Sequence, residues 1–169
     1  DVLVYQTDEL REDLTIAGPV TASLFVSTSG TDSDWIVKLI DVFPDTMTST
    51  LRFLGPPYDE RTLRFKGYQM LVRGDVMRGK FRNSLAKAEP FVPNTATRVE
   101  YVLNDVFHTF KKGHRVMVHI QSSWFPMIDR NPQKFVDIYS AKESDFQKAT
   151  QRVYRSAVWS SHLKLRVLR

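Results

Sequence analysis

The sequence contains no cysteine, which excludes disulfides, thiolate metal ligands and a cysteine nucleophile. No apolar run approaches the roughly 18–20 residues that a membrane helix needs, and the N-terminus lacks the regions of a signal peptide. We therefore expect no membrane partner, and an export signal would have to lie outside this sequence. The absence of cysteine leaves the compartment undetermined.

Three common catalytic and nucleotide-binding signatures are also absent. No serine stands in the G-x-S-x-G elbow that α/β-hydrolases use for their nucleophile, and Ser29-Gly30 has the wrong spacing. The phosphate-binding loop and the dinucleotide-binding fingerprint are absent too, since Gly74 and Gly79 enclose Arg78 and do not open a helix. The net charge is +5, but acidic residues alternate with basic ones along most of the chain. We expect no cofactor and no nucleic-acid partner.

The clearest positive signal is a period-two alternation of apolar and polar residues, typical of strands with one buried face. Trp35 to Phe43 is apolar on both sides apart from Lys38 and Asp41, which predicts a central strand covered on both faces. The other predicted strands are Val20 to Val26, Tyr68 to Val72, Val99 to Leu103, Val116 to Ile120 and Leu163 to Val167. Together they predict a single all-β domain, a sandwich or a barrel.

Turn residues separate these strands. The predicted turns are Ala17-Gly18-Pro19, Ser29 to Asp32, Gly55-Pro56-Pro57, Pro93-Asn94 and Lys112-Gly113. A helical spacing occurs once, at Phe146, Ala149 and Val153 behind Ser144 as an N-cap candidate, and is short enough to be a single turn or no helix at all. Asp45 to Lys66 lacks alternation and reads as a long surface excursion.

Two kinds of site can be tested against the polar residues. The four histidines, His108, His114, His119 and His162, have no spacing that favours a metal site, so we expect none. A triad of His114, Asp129 and Ser122 or Ser123 would need the fold to bring these residues together, and nothing in the sequence selects them.

The stretch SSWFPMIDRN, Ser122 to Asn131, is called the corner segment below. Pro126 and Pro132 disfavour helix at the residues before them, which predicts a sharply turning loop. Trp124 and Phe125 are expected to anchor this loop. Asp129 and Arg130 are expected to pair with each other or to bond the loop backbone.

Three separated motifs carry a family resemblance: GTDSDWIVKLIDVFP from Gly30, RGDVMRGKFRNS from Arg73, and FKKGHRVMVHIQSSWFPMIDRNPQ from Phe110. With the opening DVLVYQTDELREDLTIAGPV and the late DFQKATQRVYR, the likeness covers nearly the whole chain. The sequence resembles the C-terminal domain of the cocaine-esterase-type serine hydrolases. Within that family it is most similar to α-amino acid ester hydrolases and glutaryl-7-aminocephalosporanic-acid acylases, and X-Pro dipeptidyl-peptidases share the same domain.

The resemblance implies a jelly-roll β-sandwich of the galactose-binding-like kind, with residues 1–169 forming one accessory domain. It implies that the catalytic serine, aspartate and histidine lie in an α/β-hydrolase domain of the parent polypeptide, so that this chain contributes no catalytic residue. The expected partners are that hydrolase domain and its helical cap, with homo-oligomerisation of the parent left open. The resemblance fits an extracytoplasmic location, periplasmic or secreted, which the residues themselves do not fix.

The resemblance also suggests which residues face the missing domains, where they would pack and help to shape the substrate pocket. The candidate interdomain residues within the matched motifs are Arg78, Arg82, Ser123, Trp124, Phe125, Asp129, Arg130 and Asn131.

Two other functions remain open. A stand-alone carbohydrate- or ligand-binding jelly roll would use exposed aromatics, for which Trp124, Trp159, Tyr58 and Tyr68 are the candidates. A small autonomous esterase would have to hydrolyse an activated ester as the purified chain.

Overall fold

The computed structural model describes the backbone of residues 1–46, 48–52, 60–64 and 66–168, and the side chains of residues 1–46 and 66–168. The regular elements in these described residues are strands, apart from two 3-10 turns at Gly79–Phe81 and Glu143–Asp145. The strands are β1 (Val2–Gln6), β2 (Leu14–Thr28), β3 (Asp34–Val42), β4 (Thr48–Arg52), β5 (Glu60–Arg64), β6 (Gln69–Arg78), β7 (Thr97–Phe110), β8 (Arg115–Gln121), β9 (Gln151–Val153) and β10 (His162–Lys164). No helix in the described part of the chain is long and apolar enough to cross a membrane.

Two antiparallel sheets form the sandwich. Sheet A has the strand order β1-β8-β3-β6 and sheet B the order β10-β2-β7, with β9 also paired to β2. The predicted all-β jelly-roll sandwich is therefore confirmed. β4 and β5 form a separate hairpin within the predicted excursion, and the Gly55-Pro56-Pro57 turn lies outside the described residues.

The core lies between the sheets and follows the predicted alternation. Val20, Ala22, Leu24 and Val26 of β2 are all at most 1% exposed. The core cluster also includes Trp35, Val37, Leu39, Phe91, Val99, Leu103 and Phe110. Burial of these side chains is the main favourable contribution to folding, at about 25 cal/mol per Å² of apolar surface.

Strand β3 is the central strand that the sequence predicts. It is hydrogen-bonded to β8 on one side and to β6 on the other. Trp35, Val37 and Leu39 belong to the core between the sheets, while Ile36 and Ile40 on its other face are also buried. Both faces are covered, which explains the nearly continuous apolar run.

One predicted turn is wrong. Gly18 and Pro19 do not end a strand but lie inside β2, where the pairing with β7 shifts register between Pro19 and Val20. Gly18 has a φ of +102°, and this irregularity accommodates a proline in a paired strand. The helical spacing from Phe146 to Val153, expected to give a single turn or no helix, is preceded by a 3-10 turn at Glu143–Asp145 and ends in strand β9.

Polar groups also connect the two sheets. The hydroxyl of Tyr101 on β7 donates a hydrogen bond to the Trp35 carbonyl on β3 at 2.9 Å, and burial raises the Tyr101 pKa far above its usual range. Farther along β3, the buried Asp41 carboxylate is bonded to His108 Nε2 at 2.9 Å and to His114 Nδ1 at 2.8 Å. These bonds join β7 and the start of β8 to the central strand.

Replacing Tyr101 with phenylalanine should lower the free energy of unfolding by about 1–2 kcal/mol, because it deletes the buried hydroxyl that bonds to the Trp35 carbonyl. Urea denaturation would measure this loss. Tyr139→Phe is the matched control, since Tyr139 is 88% exposed and should change stability by less than about 0.5 kcal/mol. Equal effects of the two substitutions would contradict the role given to Tyr101.

Candidate functional site

The three sequence motifs meet at one end of sheet A. The register pairs Asp34, the first residue of β3, with Arg78, the last residue of β6. It also pairs Ile36 with Gln121, the last residue of β8. Since the strands are antiparallel, the β2–β3 turn, the segment after β6 and the corner segment after β8 all emerge at this end.

A buried cluster of charged groups lies where these segments meet. Asp32 and Asp34 are at most 1% exposed, and Lys80 is 8% exposed. Arg78 approaches Asp34 at 3.8 Å and Asp129 of the corner segment at 3.7 Å. Lys80 Nζ donates to the carbonyl of Val136 at 3.0 Å. We call Asp32, Asp34, Arg78 and Lys80 the charge cluster.

Burial dominates the electrostatics of the charge cluster. Loss of hydration raises the pKa of Asp34 to about 6, although the hydrogen bond from Asn131 and the charge of Arg78 act in the opposite direction. Burial also raises the pKa of Asp32. A pKa of about 6 lies within the pH range in which many enzymes work. The contacts of the Asp34 carboxylate with described residues are to Asn131 and Arg78, and neither of these is a nucleophile.

Asn131 connects the corner segment to the charge cluster. Its amide nitrogen donates to Asp34 Oδ1 at 2.9 Å, and its amide oxygen accepts from the Gln133 backbone N–H at 2.8 Å. The Gln133 carbonyl lies so close to Gly30 that a Cβ there would be 2.1 Å from it. Gly30 is thus required by this close approach of the loop backbone, and the loop is held rigidly against the β2–β3 turn.

Trp124 anchors the corner segment on the outer face of sheet A. Its ring packs over Gly74 of β6, where a Cβ would be 2.9 Å from the ring, and the Lys38 ammonium lies 4.3 Å from the ring centroid. The expectation for Trp124 is therefore confirmed. The expectation for Phe125 is wrong, because its side chain is 69% exposed.

The structure separates Asp129 from Arg130, which were expected to pair or to bond the loop backbone. Asp129 lies near Arg78, while the Arg130 guanidinium lies 5.5 Å from the centroid of the Phe146 ring. Arg130 projects with Ser122, Ser123 and Lys148 into a polar groove of about 340 Å³.

Arg82 has a local role. Its guanidinium donates to the backbone carbonyls of Gly79, Glu89 and Pro90 at 2.8–3.0 Å and stacks 4.3 Å from the Phe91 ring. These bonds hold the segment between β6 and β7 against the core. Burial lowers the Arg82 pKa.

The fold does not assemble the triad considered from the sequence. His114 is bonded to Asp41, whereas Asp129 lies beside Arg78 at the Asp34 end of β3. Asp34 and Asp41 are seven residues apart on one strand, about 23 Å at the usual rise. Among the described residues, no group of three His, Asp or Glu side chains is placed to hold a metal ion.

The aromatic side chains considered for a sugar platform are dispersed. Trp124 lies on sheet A, Trp159 packs against Tyr154 at 5.0 Å, and Tyr68 packs against Phe43 at 5.6 Å. Tyr58 lies outside the described residues.

Sequence reasoning missed Asp32, Asp34 and Lys80. These residues lie within the motifs that carry the family resemblance, but nothing in the sequence pattern indicated that the carboxylates of Asp32 and Asp34 are buried. The signal that could have found them is the placement of Asp32 and Asp34 around the entry to an almost wholly apolar strand.

The comparisons with known proteins agree with this architecture. The family model for the X-Pro dipeptidyl-peptidase C-terminal non-catalytic domain matches residues 1–164. The crystal structure of an aminopeptidase from a marine sediment Thaumarchaeota archaeon is 43% identical over 100% of this chain, with a TM-score of 0.88. An α-amino acid ester hydrolase structure is 43% identical over 99% of the chain, with a TM-score of 0.87. Cocaine esterase of Rhodococcus sp. (strain MB1 Bresler) is 28% identical over all 169 residues.

In each of these three comparisons the chain spans 26% of the relative's length. The relatives are therefore larger proteins that contain this whole domain. The motif resemblance, the antiparallel sandwich and the family match all lead to one assignment. The chain belongs to the family of X-Pro dipeptidyl-peptidase C-terminal non-catalytic domains.

Proposed function

We propose that this chain is the accessory domain of a serine hydrolase, and that the parent acts on α-amino acid esters, β-lactam amides, X-Pro peptides or related acyl compounds. The observation that carries the proposal is that similar hydrolases and an aminopeptidase contain the entire domain in about a quarter of their length. The catalytic serine, histidine and aspartate would belong to the parent's hydrolase domain, where an acyl-enzyme forms and is then hydrolysed.

The domain's role in this proposal is to pack on the catalytic and cap domains and to help to shape the substrate pocket. The corner segment supports this role because its side chains divide into buried anchors and exposed groups. Asn131 and Trp124 fix the backbone to the domain, while Phe125 and Met127 are 69% and 70% exposed. Large apolar side chains presented to solvent on a fixed loop are typical of an interaction surface.

The charge cluster supplies the rigidity that such a surface needs. Asp34 binds Asn131, and Arg78 approaches both Asp34 and Asp129, so the corner segment is tied to the ends of β3 and β6. Arg130 remains available to a partner, since its described contact is with the Phe146 ring. We call Phe125, Met127 and Arg130 the corner surface and infer that it faces the catalytic domain.

Treatment of source-cell lysate with a fluorophosphonate probe should label a band that an antibody against this domain also detects, because the probe reacts with an activated serine. The labelled band should be several times heavier than the 19.6 kDa of this chain. An unlabelled band near 19.6 kDa would contradict the proposed serine-hydrolase parent.

Substitution of Phe125 by serine should lower the activity of the intact parent by about tenfold or more, through loss of an apolar anchor at the domain interface. The same change should alter the stability of the isolated chain by less than about 0.5 kcal/mol, because the side chain is already exposed. Phe107→Ser is the matched control, since Phe107 is 79% exposed on the outer face of sheet B. If both variants reduce activity equally, the corner surface is not the interface.

Asp34→Asn should change how stability depends on pH. Burial raises the folded-state pKa of Asp34 from 3.8 to about 6, so the folded protein binds this proton more tightly than the unfolded chain. The native free energy of unfolding should therefore fall as pH rises from about 4 to 6, by up to about 3 kcal/mol from this group. Asp34→Asn removes that contribution. The free energy of unfolding of the variant minus that of the native protein should therefore increase as pH rises over the same range.

Asp145→Asn provides a control of opposite sign. The hydrogen bond from Lys134 lowers the Asp145 pKa, so its contribution to stability is present above the unfolded pKa and is lost as pH falls. Urea denaturation at several pH values would separate the two variants. Parallel pH curves for Asp34→Asn and the native protein would show that Asp34 is not titrating in this range.

A further inference from the structure

A cavity of about 200 Å³ lies between the sheets, on the side away from β6 and β7. Sheet A contributes β1 and β8 to it, and sheet B contributes β2, β9 and β10. Its walls are apolar, formed mainly by Tyr5, Leu24, Val118, Ile120, Val153 and Leu163.

The cavity arises because one edge of sheet B is incomplete. β9 pairs with Val26–Thr28 and β10 pairs with Thr21–Ser23, and each has only three residues. The chain from Arg155 to Ser160 leaves this line, while Tyr154 and Ser161 on either side of it both bond to the Phe25 backbone. Inward side chains of β1 and β8 therefore face a gap instead of a full strand.

The mouth of the cavity carries a positive charge. The Arg155 guanidinium lies 5.3 Å from the centroid of the Tyr5 ring, and no carboxylate among the described side chains forms an ion pair with it. Ser161 Oγ is engaged with the Phe25 backbone, and His162 Nδ1 is bonded to the Ser160 carbonyl. Arg155 is thus the charged donor that an entering ligand would meet.

The sequence segment that contains Arg155 is also positively charged. The alternation of acidic and basic residues that holds elsewhere fails here, because Phe146 to Arg169 contains no Asp or Glu. The basic residues of this segment are Lys148, Arg152, Arg155, Lys164, Arg166 and Arg169. Arg155 is the member of this set that lines the cavity, whereas Lys148 lines the groove beside Arg130. A cation at the rim of a low-dielectric cleft favours the entry of an anion.

We propose that this cavity binds a small molecule with a compact apolar body and a single carboxylate. The body would occupy the space between Leu24, Val118 and Leu163, and the carboxylate would accept hydrogen bonds from the Arg155 guanidinium. An apolar cavity of about 150 Å³ is large enough for benzene, so this one accommodates a phenyl ring with a short substituent. The inference does not depend on the proposed parent activity.

Phenylacetate tests the proposal against its neutral isostere, phenylacetamide. Phenylacetate should bind saturably with a Kd on the order of 1 mM, as expected for a ligand of this size, and phenylacetamide about tenfold more weakly. Methyl NMR shifts of Leu24, Val118, Ile120, Val153 and Leu163 should report the binding. A thermal melt in the same buffer establishes that the chain is folded.

Arg155→Met separates the local charge from the general field of the basic segment. It keeps an unbranched apolar side chain but removes the guanidinium, so it should weaken phenylacetate binding about tenfold and leave phenylacetamide binding unchanged. Arg166→Met is the control within the same segment, because Arg166 does not line the cavity, and it should preserve the preference for the anion.

Three results would overturn the proposal. They are equal affinity for the two isosteres, methyl shifts confined to residues outside the cavity, and an absence of saturation at ten times the expected Kd. The phenylacetate binding measurement should also be repeated on the full-length parent. Binding by the isolated chain without binding by the parent would mean that another domain covers the cavity, and the site would then be an interface.

Discussion

Strand β3 must bury both of its faces and also a carboxylate near each of its ends, and much of the sandwich follows from this constraint. A buried carboxylate is costly unless neighbouring groups bond to it. At one end Asn131 and Arg78 meet Asp34, which ties the corner segment and β6 to the strand. At the other end His108 and His114 meet Asp41, which ties in β7 and the start of β8. The polar contacts thus determine how the chain enters and leaves an otherwise apolar layer.

The sequence was informative wherever one residue's neighbours along the strand determine its environment. Alternation in β2 and the apolar run of β3 predicted which side chains are buried, and three separated motifs predicted the family. The Gly18-Pro19 pair was misread because a bulge inside a strand and a turn between strands use the same residues. Asp129 was misread for another reason, since its neighbour Arg78 is brought near by the pairing of β3 with both β6 and β8.

Two surfaces of the domain differ in a way that bears on function. The corner segment is built from anchors that leave almost no freedom to its backbone: a ring packed on a glycine, and an amide bonded to a buried carboxylate. The margin of the sandwich that β9 and β10 form consists of two three-residue strands and leaves space between the layers. Rigid presentation suits a permanent contact within one polypeptide. An underpacked margin suits a small and exchangeable ligand, and its Arg155 forms no ion pair with any side chain that the structure describes.

The pairing of Val42 with Gln69 has a consequence for how such domains can vary. The last residue of β3 and the first residue of β6 are direct partners, so the segment between them leaves and rejoins sheet A at a single point. Each doubling of the length of such a segment costs only about 0.6 kcal/mol in closure entropy, and it does not disturb the register on either side. This position is a natural point for insertions during evolution, and a reporter peptide or an affinity tag placed there would leave both sheets intact.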